Sequence, residues 1–226
     1  MTIKVIISIF LSATLFMSCA QAPTADKAVV QDADSISVND VGDVYKLDTA
    51  SSVLTWIGTK STGGHSGEFD ITSGNIYVQD STITGGQFII NVGSLKNVDL
   101  AKDADMRSQL ETELRGPNFF DVAKFPSAKF DIISVQPYKS EPGADTILLQ
   151  NATHIVKGNL TIKNVTKSMS FPVRITLTAD AVLAQANFNM DRTLWGMTYR
   201  ADKSLQDKLI NSQVNITFSI TAKAQQ

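Results

Sequence analysis

The sequence predicts an all-β fold, a sandwich or an up-and-down barrel, with one short helical insertion. From Tyr45 onward, apolar and polar residues alternate in short runs bounded by Gly, Asn and Asp, which is typical of half-buried strands. Between residues 99 and 114 this alternation gives way to helical spacing of Leu and Met. An apolar N-terminal segment sets residues 1–18 apart from the rest.

The composition is that of an ordinary globular protein. The 226 residues are 43% hydrophobic and 19% charged, with 20 basic side chains against 22 acidic ones. Since the basic residues form no block, nothing indicates a nucleic-acid surface. This length accommodates one ordinary domain, or one large β-barrel with additions.

The N-terminus has the features of a secretory signal peptide. Residues 5–17 are almost entirely apolar, but they are too few to cross a bilayer as a helix, which needs about 20 residues. A small residue then precedes Cys19, the only cysteine, in a pattern that resembles a bacterial lipobox with Phe16 in place of the usual Leu. We therefore expect residues 1–18 to be removed and Cys19 to be lipidated.

Residues 19–43 are predicted to be a flexible, lipid-anchored tether, because residues 20–43 contain no aromatic side chain. A random coil of that length would span roughly 25–30 Å. Ala20, rather than aspartate, follows Cys19, and this resembles lipoproteins sent to the outer membrane. The expected location is the bacterial cell envelope, with the protein facing the periplasm or the cell surface.

The folded domain is predicted over residues 44–226. Leu54 and Trp56 share one face of its first long strand, and Phe88 and Ile90 share one face of a later strand. Strands are predicted at residues 52–58, 67–71, 74–78, 87–92, 128–135, 146–150, 153–162, 167–178, 184–190 and 213–222, with Thr72-Ser73 as the turn between the second and the third.

The helix is predicted within residues 99–114. Leu100, Met106, Leu110 and Leu114 fall near helical spacing, and Gly116-Pro117 ends the segment. A helix between barrel strands suits a lid or a plug at a barrel mouth.

Patterns that would indicate catalysis or metal binding are weak. His65 and His154 are the only histidines, and their spacing matches no metal site. No G-x-S-x-G elbow is present, and Cys19 is assigned to lipid. We therefore predict a protein that is not an enzyme and has no catalytic residue, metal or cofactor; an enzyme of lipid metabolism is an alternative.

Five segments of the predicted domain carry distinctive motifs: Tyr45–Trp56, His65–Phe69, Leu114–Phe130, Gly158–Lys167 and Phe188–Met197. They resemble motifs of the YceI-like polyisoprenoid-binding family, in the family's order. Gly116 stands where the family more often has Ser, and Asn164 stands where it has Gly. Either Asn or Gly can take the left-handed conformation that a hairpin turn needs.

The resemblance implies an extended, lipocalin-like eight-stranded antiparallel β-barrel whose lumen holds an isoprenoid lipid, polyprenyl or quinone-like, as a ligand. Periodicity alone does not distinguish this hollow barrel from a structural or interaction barrel of the envelope with a filled core. The residues expected to line the lumen are Trp56, Phe69, Phe88, Ile90, Phe130, Leu160, Phe188, Met190, Trp195, Ile216 and Phe218.

Two residues are candidates for binding a ligand head group. His65 is either such a contact or a strand-end histidine bonded to backbone. Arg192 either contacts the head group or pairs with Asp191 or Asp121. Phe119 and Phe120 are expected to pack under the helix. The sequence leaves the oligomeric state open, with a homodimer among the alternatives.

Overall fold

The structure is a computed structural model that describes residues 21–138, 149, 151–202, 204 and 209–225. Within these residues, eight antiparallel strands close into a barrel accompanied by one α-helix, which confirms the predicted fold class. The predicted signal peptide, Cys19 and, apart from Leu149, the strand predicted at 146–150 lie outside the described residues.

The elements follow one another along the chain without a second domain among the described residues. They are β1 (Asp26–Lys27), β2 (Val29–Asp32), β3 (Asp43–Leu47), β4 (Val53–Lys60), β5 (Gly63–Gln79), β6 (Thr82–Asn97), the helix α1 (Ala104–Arg115), β7 (Ser127–Pro137), β8 (His154–Ile162), β9 (Val165–Leu177), β10 (Ala181–Asp191) and β11 (Gln213–Ala224).

β3 and β4 act as one strand of the barrel wall. Both pair with β11 on one side and with β5 on the other, and the 3-10 turn Thr49–Ser51 separates them. Asp48 caps this turn by accepting a hydrogen bond from the backbone N–H of Ala50. From β5 to β11 each strand pairs with the next, and β11 returns to β3 and β4, so the ring closes.

Two tight hairpins connect neighbouring wall strands. Asp80 and Ser81 lie between β5 and β6, and Lys163 and Asn164 lie between β8 and β9; all four have positive φ, from 50° to 60°. A two-residue turn with both φ values positive has the twist that matches its flanking strands. Asn164 therefore takes the left-handed conformation predicted for it.

The two strands predicted at 67–71 and 74–78 are one continuous strand, so the prediction of a turn at Thr72-Ser73 is wrong. β5 has 17 residues, and its ladder with β6 shifts register between Ile71 and Ser73. A bulge of this kind bends a strand while keeping it in the sheet. The polar pair marks the bulge rather than a reversal of the chain.

α1 begins later than predicted and lies at one end of the barrel. Asp103 caps it by accepting a hydrogen bond from the N–H of Met106 (3.0 Å), and Gly116 follows its last residue. The helix is attached to the end of β6, because Glu111 accepts a hydrogen bond from the backbone N–H of Asn97 (2.8 Å). Arg115 also donates to the carbonyl of Leu95.

Part of the segment predicted as a flexible tether is paired with the barrel instead. β1 runs parallel to β10, and β2 runs antiparallel to β9. Ala28 and Val30 pack against the core, while Val29 is 58% exposed. Residues 26–32, which we call the N-terminal strand, therefore lie between β9 and β10.

Gly67 allows a close approach between neighbouring wall strands. It lies in register with Trp56 on β4 and Asn97 on β6. A Cβ atom at Gly67 would lie 2.5 Å from Cζ2 of Trp56 and closer still to the carbonyl oxygen of Lys96. Because that oxygen is backbone, the clash could be relieved only by moving a strand.

We expect Gly67→Ala to lower the free energy of unfolding by about 1–3 kcal/mol, through overpacking, in urea titrations. Gly58→Ala is the matched control, because its Cβ would lie 3.9 Å from Cζ3 of Trp56, an ordinary contact. Equal stability of the two variants would contradict the close packing at Gly67.

Candidate functional site

The barrel encloses a cavity of about 420 Å³. Its lining extends from Val182 and Ile220 to Lys60 and Thr62 in the β4–β5 hairpin, and we call the end at this hairpin the mouth. Cavities of about 150 Å³ lined by Leu, Ile and Phe are known to stay dry and to bind benzene. The cavity is therefore large enough for an apolar guest, which argues against a filled core.

The other end of the barrel is closed by packed side chains and hydrogen bonds. Ala222 is fully buried and Leu47 is 7% exposed. The hydroxyl of Tyr45 donates to the carbonyl oxygens of Thr178 and Ala179, both at 3.1 Å. These bonds join β3 to the β9–β10 turn, whereas the polar side chains that line the cavity lie at the mouth.

All the predicted lumen residues except Trp195 line this cavity. Trp195 is fully buried, but its indole N–H donates to the carbonyl of Leu160 (3.0 Å). Buried indole N–H groups usually have such an acceptor, and Trp195 itself is not among the residues that line the cavity. The residues that line the cavity as predicted are Trp56, Phe69, Phe88, Ile90, Phe130, Leu160, Phe188, Met190, Ile216 and Phe218.

Phe171 is the most important lining residue that the predicted set omits. Its ring stacks on Phe188 with centroids 4.2 Å apart and meets Phe218 edge-on at 6.0 Å. Met169 and Val173, two positions away on either side, also line the cavity, so the alternation along β9 could have identified this face. Met197 and Ile210 lie in irregular segments, where no periodic signal exists.

The loop after α1 brings two aromatic rings to the mouth. Its backbone is held internally, with Asp121 at φ 48° donating its N–H to Gly116 and accepting from Phe125, both at 2.9 Å. Phe120 meets Phe69 edge-on at 5.4 Å, and Phe119 meets Tyr199 at 5.7 Å. Both rings line the cavity.

His65 lines the mouth and is oriented by a carboxylate. Its Nδ1 lies 2.8 Å from Oδ2 of Asp99, rather than on a backbone group. Asp99 also accepts hydrogen bonds from the N–H of Ser66 (2.8 Å) and from Nδ2 of Asn97 (2.6 Å). With Nδ1 bonded to Asp99, the remaining ring nitrogen is the one available to a ligand.

These contacts also determine the pKa of Asp99. Partial burial acts to raise the pKa of this carboxyl, but the hydrogen bonds from Ser66, His65 and Asn97 outweigh it. The pKa of Asp99 is therefore lower than its ordinary value, and the carboxylate form is stabilised in the folded protein.

Arg192 is buried at the mouth and binds backbone carbonyls rather than Asp191 or Asp121. Nε donates to Asn211 (3.1 Å), Nη2 donates to Tyr199 (3.0 Å) and Ile210 (2.9 Å), and Nη1 donates to Met197. Its guanidinium carbon lies 5.4 Å from the centroid of the Phe119 ring.

The environment of Arg192 affects both the pKa of its guanidinium and the number of N–H groups left for a ligand. Burial lowers the pKa of this guanidinium, and the neighbouring charge of Asp191 opposes that shift. Four of its five N–H groups are used by the 197–211 segment, which leaves one on Nη1. Arg192 therefore organises the mouth first and has little capacity left for a ligand.

The remaining charged side chains at the mouth are mostly basic. Lys60 and Arg200 line the opening, together with Glu113 of α1. Among the described residues, no group of three or more His, Cys, Asp or Glu could hold a metal ion. In the same part of the chain, no helix has the length and apolar character needed to cross a membrane.

Comparison with known proteins places this barrel in a family. The sequence profile of the YceI-like domain matches residues 45–222. The chain belongs to the YceI-like family. The match spans β3 to β11 and confirms the resemblance noted from the motifs, whereas the N-terminal strand lies outside it.

Two solved structures share the YceI-like fold at 17% sequence identity. BcnA from Burkholderia cenocepacia has a TM-score of 0.59, over 78% of this chain and 99% of its own. A polyisoprenoid binding domain from Saccharophagus degradans, implicated in plant cell wall breakdown, has a TM-score of 0.57, over 80% of this chain and 98% of its own. No curated protein matches the sequence.

We expect Arg192→Met to lower the free energy of unfolding by about 2–4 kcal/mol, because it leaves buried carbonyl oxygens without donors. Calorimetric unfolding would measure the loss. Arg200→Met, at an exposed arginine of the same mouth, is the control and should change stability by less than about 0.5 kcal/mol. An Arg192→Met protein as stable as the control would contradict the structural role.

We expect Asp99→Asn to destabilise the protein at pH 7, by about 1–3 kcal/mol, and to have progressively less effect in acid. The lowered pKa means that the stabilisation by Asp99 is present above the ordinary carboxyl pKa of 3.8 and is lost as the pH falls below it. Urea titrations at several pH values would test this, with exposed Asp40→Asn as the control. A difference between the two variants that does not change with pH would contradict it.

Proposed function

We propose that this protein binds an isoprenoid lipid, polyprenyl or quinone-like, inside its barrel, and that it acts as a carrier or a store rather than as an enzyme. The observation that carries the proposal is the cavity, whose wall is apolar along its length and polar only at the mouth. An isoprenoid has the matching form, a long branched hydrocarbon with one polar end.

Burial of the hydrocarbon supplies enough free energy for useful affinity. Each buried methylene group contributes about 0.8 kcal/mol, so a five-carbon isoprene unit contributes about 4 kcal/mol. Association costs about 4–15 kcal/mol before any net affinity appears. A chain of several units offsets that cost without a dedicated polar site, and affinity should therefore increase with chain length.

The mouth offers contacts for the polar end of such a ligand. His65 presents the ring nitrogen that is not bonded to Asp99, and Lys60 and Arg200 line the same opening. The positive charges of Lys60 and Arg200 favour a head group that accepts hydrogen bonds or carries negative charge. The remaining N–H of Arg192 is a further donor.

Membership of the YceI-like family supports this ligand class. The similar domain from Saccharophagus degradans is described as polyisoprenoid binding, and it shares the barrel. The alternative of a structural barrel with a filled interior does not account for a cavity of about 420 Å³.

We further propose that the protein works in the bacterial cell envelope, attached to a membrane, most simply the outer membrane, through lipid on Cys19. The support is sequence alone: the apolar segment 5–17 and the lipobox-like residues before Cys19. Attachment beside a bilayer would give the barrel direct access to lipids.

We expect Ile90→Trp to weaken binding of geranylgeraniol more than ten-fold in calorimetric titrations, by filling part of the cavity. Excluding about two methylene groups costs about 1.6 kcal/mol. Ile89→Trp is the matched control, because Ile89 is the adjacent residue of β6 and does not line the cavity.

The same variants separate a hollow barrel from a filled one. A hollow barrel should keep its stability with Ile90→Trp, whereas a filled core would lose about 1–3 kcal/mol through overpacking. Absence of geranylgeraniol binding by the unaltered protein, together with lipid-free preparations from native membranes, would contradict the proposed function.

A further inference from the structure

β9 and β10 are paired with each other over only part of their length. Their direct ladder joins Val182–Gln185 to Arg174–Leu177, near the turn between them. Toward the mouth, Val165–Val173 of β9 and Ala186–Asp191 of β10 have no pairs with each other. We call this gap the β9–β10 slit.

The N-terminal strand occupies this slit. On one side Asp26 and Lys27 pair with Phe188 and Asn189 of β10, and on the other side β2 pairs with residues 167–170 of β9. This strand lies outside the region matched by the YceI-like domain. The wall near the mouth is therefore completed by a segment outside the matched residues.

The contacts that hold the N-terminal strand are few compared with those between other wall strands. β1 has two residues and β2 has four, whereas β5 and β6 have 17 and 16. Only Ala28 and Val30 from this strand pack against the core, and both are partly buried. Short ladders with little apolar burial are the first parts of a fold to open.

The ion pair of the strand itself adds little to its attachment, whereas just beyond the strand Asp34 pairs with Lys157 (2.8 Å) and exchanges two hydrogen bonds with Asn159 of β8. Asp32 pairs with Lys167 at 3.0 Å, but its side chain is 99% exposed, and exposed ion pairs stabilise weakly. Oδ2 of Asp26 is buried without a hydrogen-bond partner, and burial raises the pKa of this carboxyl. Desolvation of Asp26 opposes docking of the strand in its ionised form.

Just behind the slit lies the apolar cavity. Met169 and Phe171 of β9 and Phe188 and Met190 of β10 all line it. At most other places in the wall a ligand would have to break a direct ladder between neighbouring strands. At the slit, only the N-terminal strand has to move.

We propose that the N-terminal strand is a detachable part of the wall, and that an apolar ligand chain enters and leaves the cavity sideways through the β9–β10 slit when the strand withdraws. The identity of this ligand as an isoprenoid rests on the proposed function. Sideways passage from the mouth along the slit avoids threading a long hydrocarbon end-on through a narrow opening.

A reversible disulfide between the N-terminal strand and β9 tests the proposal. Val29 and Ser170 are paired in register, and antiparallel partners have Cα separations of about 4.5–5.5 Å, which a disulfide spans. The full chain would carry Cys19→Ser with Val29→Cys and Ser170→Cys. The control carries Cys19→Ser with Thr55→Cys and Thr217→Cys, an in-register pair between β4 and β11.

We expect the oxidised Val29→Cys/Ser170→Cys protein to take up and release N-phenyl-1-naphthylamine, an apolar fluorescent dye, at least ten-fold more slowly than its reduced form in stopped-flow measurements. The equilibrium affinity should not change, and the oxidised control should exchange dye at the rate of its reduced form. Equal exchange rates in the oxidised and reduced forms of the Val29→Cys/Ser170→Cys protein would overturn the proposal.

A second variant tests the opposite direction. Val30→Asp places a charge against the core at a residue that does not itself line the cavity, so the strand should detach and dye exchange should accelerate several-fold. Unchanged exchange in this variant would also overturn the proposal.

Geranylgeraniol titration of the unaltered protein keeps the two proposals separate. If geranylgeraniol binds but the Val29→Cys/Ser170→Cys disulfide does not change the rate of dye exchange, the slit is not the route and the proposed function stands. If geranylgeraniol does not bind but the disulfide still slows dye exchange, the slit is the route for a different apolar ligand.

Discussion

The closure of the sheet between β9 and β10 is the constraint on which the rest of the barrel depends. A hollow interior gives up the packing that normally holds two faces of a protein together, so the ring of backbone hydrogen bonds must carry more of the stability. When β3 and β4 are counted as one strand, every other junction in the ring has more pairs than the four that join Val182–Gln185 to Arg174–Leu177. The N-terminal strand extends that closure toward the mouth.

This arrangement also shapes the cavity. Near the β9–β10 turn eight strands surround the interior, whereas near the mouth the N-terminal strand adds a ninth between β9 and β10. The diameter of a barrel increases with its number of strands. The interior therefore widens toward the end where Arg192 binds the carbonyl groups of Met197, Tyr199, Ile210 and Asn211. A buried guanidinium suits this task because its donors point in several directions at once.

Much of the barrel and its lining could be predicted from the sequence. Side chains two residues apart on a strand face the same side, and in a closed barrel that side is the lumen, so Phe88 and Ile90 could be assigned together. Asn164 could be assigned to a turn because few residues accept positive φ. The family motifs then selected a barrel over a sandwich, which periodicity alone did not.

Other features depend on partners that the sequence pattern does not encode. The N-terminal strand has no marked alternation, and its pairing depends on unpaired edges of β9 and β10 more than 130 residues away. Arg192 binds backbone carbonyls, which every residue possesses, so no particular partner residue could reveal the contact. Thr72-Ser73 has the composition of a turn, but the long ladder with β6 keeps the strand straight enough to continue.

Docking of the N-terminal strand has a consequence for how the molecule stands on a bilayer. If Cys19 is the point of attachment, the chain from there to Asp26 is seven residues long and extends at most about 25 Å. That span is too short for free tumbling of the barrel. The side of the molecule bearing β9 and β10 is then held low over the lipid surface, so the anchor fixes orientation and height together.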